Sequence, residues 1–269
     1  MRRGQLDTPP EVSDLLDGLL AGVRDALGDN LLGMYPRGSL AFGDFDPGYS
    51  DVDVLVVTLR PVSEDEFEAL EAMHKRIRAL PNRYAVGLEV AYIDRESVRR
   101  FVAGQRHPTI TSHDPFRWER HDRNWVLDRW QTRECGIAWY GPDPRTLIDE
   151  ISDDELREAA RLRVLEWAEW ASAVTEKDRA WVNERAHQAY VIETICRALH
   201  ALSHLGLPTK RQAVAWGLEV MPEPWRGLIE RSREWRTQEV DDTSTAEETL
   251  AFVEWAAAHA RSTPDYSSP

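Results

Sequence analysis

A chain of 269 residues with 42% hydrophobic side chains is long enough for two modest cores, and no apolar run approaches the length needed to span a bilayer. Its 47 acidic residues outnumber 33 basic ones for a formal charge of −14, with no basic run. A polyanionic nucleic acid is therefore a poor partner and a cationic small molecule a fitting one.

Two cysteines, Cys135 and Cys196, cannot staple a fold, show no metal-ligand spacing and read as buried thiols. The opening MRRGQLDTPP lacks the apolar centre of a secretory signal, so a cytoplasmic location is expected. In chain order, the first predicted element is an amphipathic helix with Val12, Leu15, Leu16, Leu19, Leu20, Val23 and Leu27 on one face, stopped at Gly28-Asp29-Asn30. Residues 31–35 read as a short strand. Pro36 then leads into Gly38-Ser39 at a strand-to-helix turn, where backbone N–H groups and a hydroxyl can hold phosphate oxygens. A Pro47-Gly48 turn returns the chain to a Val-rich strand headed by Asp51 and Asp53.

Side chains two apart on a strand share a face, so these two carboxylates stand side by side. Like charges so placed need a cation between them, and hard oxygen ligands suit Mg²⁺ carried in with the phosphates of a nucleotide. A metal pair beside a phosphate cradle points to phosphoryl or nucleotidyl transfer.

Ser63 and Glu66 form a capping box for a helix reaching about residue 80, ended by Pro81-Asn82. Residues 84–93 read as a strand whose one charge is Glu89. A lone carboxylate in an apolar strand is costly to bury without a partner, and the aspartates on a neighbouring strand give it a place in the site. Residues 94–124 hold His107, His113 and His121 without zinc spacing and read as an active-site loop contributing Trp118 or a neighbour to a substrate pocket. A helix at 124–134 and a strand at 137–140 follow, and Gly141-Pro142-Asp143-Pro144 closes the first domain.

Beyond Ser152, which with Glu155 forms a second capping box, the chain reads as almost continuous helix: 152–174, 178–205, one capped by Thr209, 224–235 and 245–261. Trp167, Trp216 and Trp255 fall at apolar helical positions and are expected in the core, while His200 and His204 read as packing residues. Residues 263–269 are expected to be disordered.

Gly38-Ser39, eleven intervening residues, then Asp51-Val52-Asp53 resembles the nucleotidyltransferase signature of the DNA polymerase beta superfamily. The later stretch YVIETICRALHALSHLGLPTKRQAVAWGLEVMPEPWRGLIERSREW resembles the C-terminal helical region of the aminoglycoside adenylyltransferases that modify streptomycin and spectinomycin at the 3''/9 position. Ile195-Cys196-Arg197, Gly206 and Lys210 match its pattern, as do Glu89 and the Tyr140-Gly141-Pro142 turn.

The resemblance implies an α+β protein: an N-terminal nucleotidyltransferase domain on a small mixed sheet, residues 1–150, then a C-terminal helical domain, residues 151–262. It implies transfer of AMP from MgATP to an aminoglycoside hydroxyl, a resistance reaction that releases pyrophosphate. Asp51 and Asp53 would hold Mg²⁺, Glu89 would act as general base, Gly38 and Ser39 would bind phosphates, and Arg197 and Lys210 would meet the triphosphate.

The stretch TEKDRAWVNERAHQAY departs from the family pattern, which leaves Trp118, Trp181, Glu184 and His187 as candidate acceptor contacts; Trp235 falls where the family places an aromatic. The expected partners are ATP and a cationic aminoglycoside, with neither nucleic acid nor membrane, and the expected assembly is a monomer. The alternatives are a nucleotidyltransferase acting on another small molecule, one that AMPylates a partner protein as in toxin–antitoxin pairs, or a nucleotide-binding regulator without catalysis.

Overall fold

In a computed structural model that describes residues 8–262 except His113, Arg123 and Leu205, the first apolar stripe becomes α1 (Pro10–Leu27). All seven predicted positions on it are buried. Pro10 occupies the first turn, where a missing N–H breaks no bond. The chain divides into two units between Glu150 and Ile151. The expected tail 263–269 and His113 lie outside the described residues.

The first unit continues with β1 (Leu31–Pro36), α2 (Gly38–Phe42), β2 (Val52–Thr58), α3 (Glu64–Arg78) and β3 (Leu88–Asp94). Then come α4 (Arg95–Arg99), β4 (Arg106–Ile110), β5 (Arg117–Arg120) and α5 (Asn124–Cys135). The strands form one sheet in the order β1-β2-β3-β4-β5. Only β2 and β3 run parallel, with α3 as the crossover, and every other pair is antiparallel.

Both sheet faces are covered, which is why β2 reads as an almost unbroken apolar run. Val52, Val54 and Val56 face the cluster built with α1 and α3, while Leu55 and Val57 join Ala91, Ile93, Val98, Leu147 and Ile148 on the other side. Alternation along the strands therefore puts Asp53 and Glu89 on this second face. Ser63 and Glu66 form the expected capping box, and the Glu66 carboxylate also accepts from Asn30 and Arg60.

Several expected elements differ. The strand expected at 84–93 starts at Leu88, because Asn82 turns the chain first: its side chain accepts from Tyr84 N–H at 2.9 Å and its carbonyl from Ala85 N–H at 3.0 Å. The expected loop at 94–124 contains α4, β4 and β5. Pro108 and the flanking arginines hid the two strands, which suit the sheet margin because a proline there forfeits little pairing. The strand expected at 137–140 is a single bridge, Tyr140 with Met34. Trp139 and Tyr140 both donate to the Met34 carbonyl there, so no ladder extends.

The second unit comprises α6 (Asp153–Ser172), α7 (Glu176–Asn183), α8 (Arg185–Ser203), α9 (Lys210–Val220), α10 (Trp225–Ser232) and α11 (Thr243–Ser262). Its core gathers Val164, Ala189, Ile192, Ile195, Cys196, Leu199, Ile229, Phe252 and Val253 among others. The single helix expected over 178–205 is two helices. Glu184 takes an extended conformation and pairs with Asp241, and Arg185 N–H donates to Val240 O at 3.0 Å. No glycine or proline marks that break; tertiary pairing imposes it. No helix among the described residues is long and apolar enough to cross a membrane.

Candidate active site

The first unit assembles its polar groups where β2 and β3 begin. Asp51 stands just ahead of β2, and Asp53 is its second residue. The parallel register pairs Asp53 with Glu89 across the two strands, so two carboxylates separated by 36 positions in sequence become direct neighbours.

Gly38 opens α2 with φ +62°, and a Cβ there would lie 2.1 Å from Asp53 Oδ2. Only glycine lets the Gly38-Ser39 turn close over the aspartate. Gly87 makes the matching approach to Asp51, where a Cβ would lie 2.6 Å from Oδ1. The sequence-predicted Gly38, Asp51, Asp53 and Glu89 thus occupy one small region, with Ser39 next in the turn.

Glu89 Oε1 accepts from Ser112 N–H at 3.1 Å and Ser112 Oγ–H at 2.9 Å. Burial, and next the Asp53 charge, push its pKa above the ordinary carboxylate value; the Ser112 bonds and Arg37 oppose that rise without cancelling it. A carboxylate so raised suits the role of proton acceptor.

Sequence reasoning missed the groups around these four. Arg37, immediately before Gly38, pairs with Asp128 of α5 at 2.7 Å and stands 3.8 Å from Asp53. Burial disfavours its charge, yet Asp128, Asp53 and Glu89 together hold the guanidinium pKa above the arginine norm. Gln131 of α5 donates to Gly38 O at 3.2 Å. The signal available in the sequence was an arginine adjoining the Gly-Ser pair; its partner 91 positions away carries no local signature.

Among the described residues, no three His, Cys, Asp or Glu side chains form a metal cluster. The donor set at Asp51 and Asp53 nevertheless fits a hard divalent cation that takes its remaining ligands from phosphate oxygens and water. His107 and His121 are buried, and burial pushes their pKa values down to about 4 and about 2. His121 stacks on Trp125 at 3.6 Å.

Trp118 is half-buried and stacks on Phe67 at 5.7 Å, against the core.

In the second unit, Arg197 Nε–H donates to Pro208 O at 3.2 Å, and Lys210 Nζ lies 5.3 Å from the centre of the Tyr190 ring. His187 stacks on Trp181 at 4.4 Å and has Nδ1 3.9 Å from Glu184. Trp235 is buried beneath Arg185. Trp216 and Trp255, expected in the core, are only partly buried and pack against it. Trp167 is only partly buried, and with Trp170, Trp181, Arg163, Glu166, Lys177 and Asp178 it lines a cavity of about 450 Å³.

A strand-borne carboxylate pair faced by a Gly-Ser turn defines a nucleotidyltransferase-type site, and residues 19–104 match the nucleotidyltransferase domain family. Residues 146–259 match the aminoglycoside adenylyltransferase C-terminal domain. The two matches follow one another along the chain, a nucleotidyltransferase domain and then an aminoglycoside adenylyltransferase C-terminal domain, in the order the sequence resemblance implies.

The fold is shared with a solved structure, the spectinomycin adenyltransferase AAD(9) from Enterococcus faecialis with ATP and spectinomycin. The likeness covers 91% of this chain and 99% of that one, at 18% identity and a TM-score of 0.72. No curated protein matches the sequence.

Proposed function

We propose that this protein transfers AMP from ATP to a hydroxyl of a cationic aminoglycoside of the streptomycin or spectinomycin type and releases pyrophosphate. The observation that carries the reading is the register pairing of Asp53 with Glu89 beneath the Gly38 turn. It joins a phosphate cradle, a cation-binding pair and a base within one strand spacing.

Asp51 and Asp53 would hold a divalent cation, Mg²⁺ in the simplest case. When bound it supplies charge stabilisation at the phosphoryl oxygens. Glu89 accepts the proton of the acceptor hydroxyl as that oxygen bonds to the α-phosphorus and the bond from the α-phosphorus to the bridging oxygen breaks. Ser112 fixes Oε1, while Oε2 accepts no hydrogen bond among the described residues and is the oxygen left for the hydroxyl. Burial and Asp53 keep Glu89 more basic than a solvated carboxylate. Gly38 and Ser39 seat the phosphates, and Arg197 and Lys210 are the nucleotide-binding cations proposed in the helical unit.

The net charge of −14 suits an acceptor bearing several ammonium or guanidinium groups. Glu184, His187 and Trp181 are the acceptor contacts proposed in the helical unit. The aminoglycoside-type C-terminal domain at 146–259 favours this reading over a minimal enzyme that AMPylates a protein.

Pyrophosphate release measured with MgATP and a panel of aminoglycosides tests it. Release dependent on streptomycin, spectinomycin or a relative is expected. Release with none of them, together with no calorimetric binding of any at low salt, would overturn the acceptor.

A further inference from the structure

Arg37 and Asp128 have no task in the scheme above, yet they form the tightest charge contact around it. The Arg37 side chain is only 11% exposed and lies between two carboxylates, 2.7 Å from Asp128 and 3.8 Å from Asp53. The first distance is a charge-assisted hydrogen bond; the second is a Coulombic contact outside hydrogen-bond range. The backbone around the arginine is held: its N–H donates to Asp53 O at 2.9 Å, and Gln131 clamps the next carbonyl. Only the side chain can shift. Its guanidinium rests 5.1 Å from the centre of the Trp125 ring, and its buried Nε has no hydrogen-bond partner among the described residues.

An arginine so placed can go two ways. Drawn to Asp128, it leaves the Asp53 oxygens open to a cation; drawn onto Asp53, its planar fork caps the carboxylate and competes with that cation. We propose that Asp128 is a positioning residue that holds Arg37 off Asp53 and thereby sets the affinity of the aspartate pair for its divalent cation. Arg37 then acts as a resident countercharge, limiting repulsion between Asp53 and Glu89 until the nucleotide arrives with its metal. This inference rests on the reading of Asp51 and Asp53 as the cation-binding pair.

The experiment measures Mn²⁺ binding by electron paramagnetic resonance in the presence of α,β-methylene-ATP, which cannot transfer its nucleotidyl group. Asp128→Asn should weaken Mn²⁺ binding roughly three- to tenfold, and Asp128→Glu, which keeps the charge, should restore most of it. Arg37→Met, which keeps a stem against Trp125, should not weaken Mn²⁺ binding. In the Arg37→Met background, Asp128→Asn should have no further effect.

A merely structural role for Asp128 would give the same loss with and without Arg37, and that result would overturn the inference. So would unchanged Mn²⁺ affinity in Asp128→Asn. Should Arg37→Met fail to fold, the contrast between Asp128→Asn and Asp128→Glu decides, and equal losses in both would refute the proposal. Absence of Mn²⁺ binding by the unsubstituted protein would remove the cation site and this inference together. Mn²⁺ binding without aminoglycoside-dependent pyrophosphate release, with the expected Asp128 behaviour, would overturn only the acceptor.

Discussion

The two units hold their polar groups by different means. In the first, backbone geometry places the chemistry: strand register sets Asp53 against Glu89, and positive φ at Gly38 brings a turn onto Asp53. In the second, side-chain stacking does it: Lys210 lies on Tyr190, His187 on Trp181, and Arg163 on Trp167. Backbone-set groups tolerate almost no displacement, whereas stacked ones can re-rotamer at modest cost. Substitutions in the first unit should therefore act mainly on kcat, and those in the second mainly on KM.

The largest effect is expected at the proposed cation-binding pair, Asp51 and Asp53. Asp53→Asn should abolish measurable transfer, a loss of roughly 10⁴-fold or more in kcat, since it removes a ligand for the charge that stabilises the phosphoryl group. Its melting temperature should not fall, because one of two facing carboxylates is relieved of repulsion. Turnover near that of the unsubstituted enzyme would break the comparison at its root.

Glu89→Gln comes next, with kcat expected to drop about 10²- to 10⁴-fold while MgATP binding persists. Loss of ATP binding instead would make Glu89 a metal ligand. The pH dependence follows from the raised pKa. Activity should fall as pH drops through a value above the ordinary carboxylate range, because the base is then protonated. The stability sign is opposite: a carboxyl with a raised folded pKa favours its neutral form, so stability is lost as pH rises through that pKa. Glu89→Gln removes that loss, so the variant should melt higher than the unsubstituted protein at neutral pH, and the gap should close at low pH.

Gly38→Ala should cost about 1–3 kcal/mol of stability from its positive φ. It should also cost roughly 10²-fold in kcat by displacing Asp53. Urea unfolding and steady-state rates measure the two parts separately.

The smallest effects belong to the helical unit. Arg197→Ala or Lys210→Ala should raise KM for ATP roughly tenfold, the scale of one charge-assisted hydrogen bond, with kcat changed less. Unchanged ATP affinity in both variants would separate the helical unit from the nucleotide.

What the sequence disclosed follows the same division. Asp51 and Asp53 were legible because period-two spacing places them without knowledge of any partner, and the Gly-Ser turn because glycine and serine mark such turns locally. The capping boxes at Ser63 and Ser152 and the cap at Thr209 were equally local. The Arg37–Asp128 pair was not, since nothing in either segment points to the other. The break at Glu184 was hidden for the same reason: its cause is pairing with Asp241, far along the chain. The strands β4 and β5 were obscured because proline and arginine belong to sheet margins, not to the apolar centre that sequence patterns describe best.

That margin has a consequence of its own. β5 has four residues and ends in Arg117 and Arg120, whose charges make poor neighbours for a second strand. At the opposite edge, β1 is met by the Tyr140 bridge, and Tyr35 Oη–H donates to Pro142 O at 2.9 Å, tying the 139–142 segment along it. Neither edge offers a long, flat template to another chain. The hydrophobic centre at β2 and β3, which is the segment most prone to cross-chain growth if bared, is walled in by its own neighbours, so the protein guards against aggregation with the same strands that frame its chemistry.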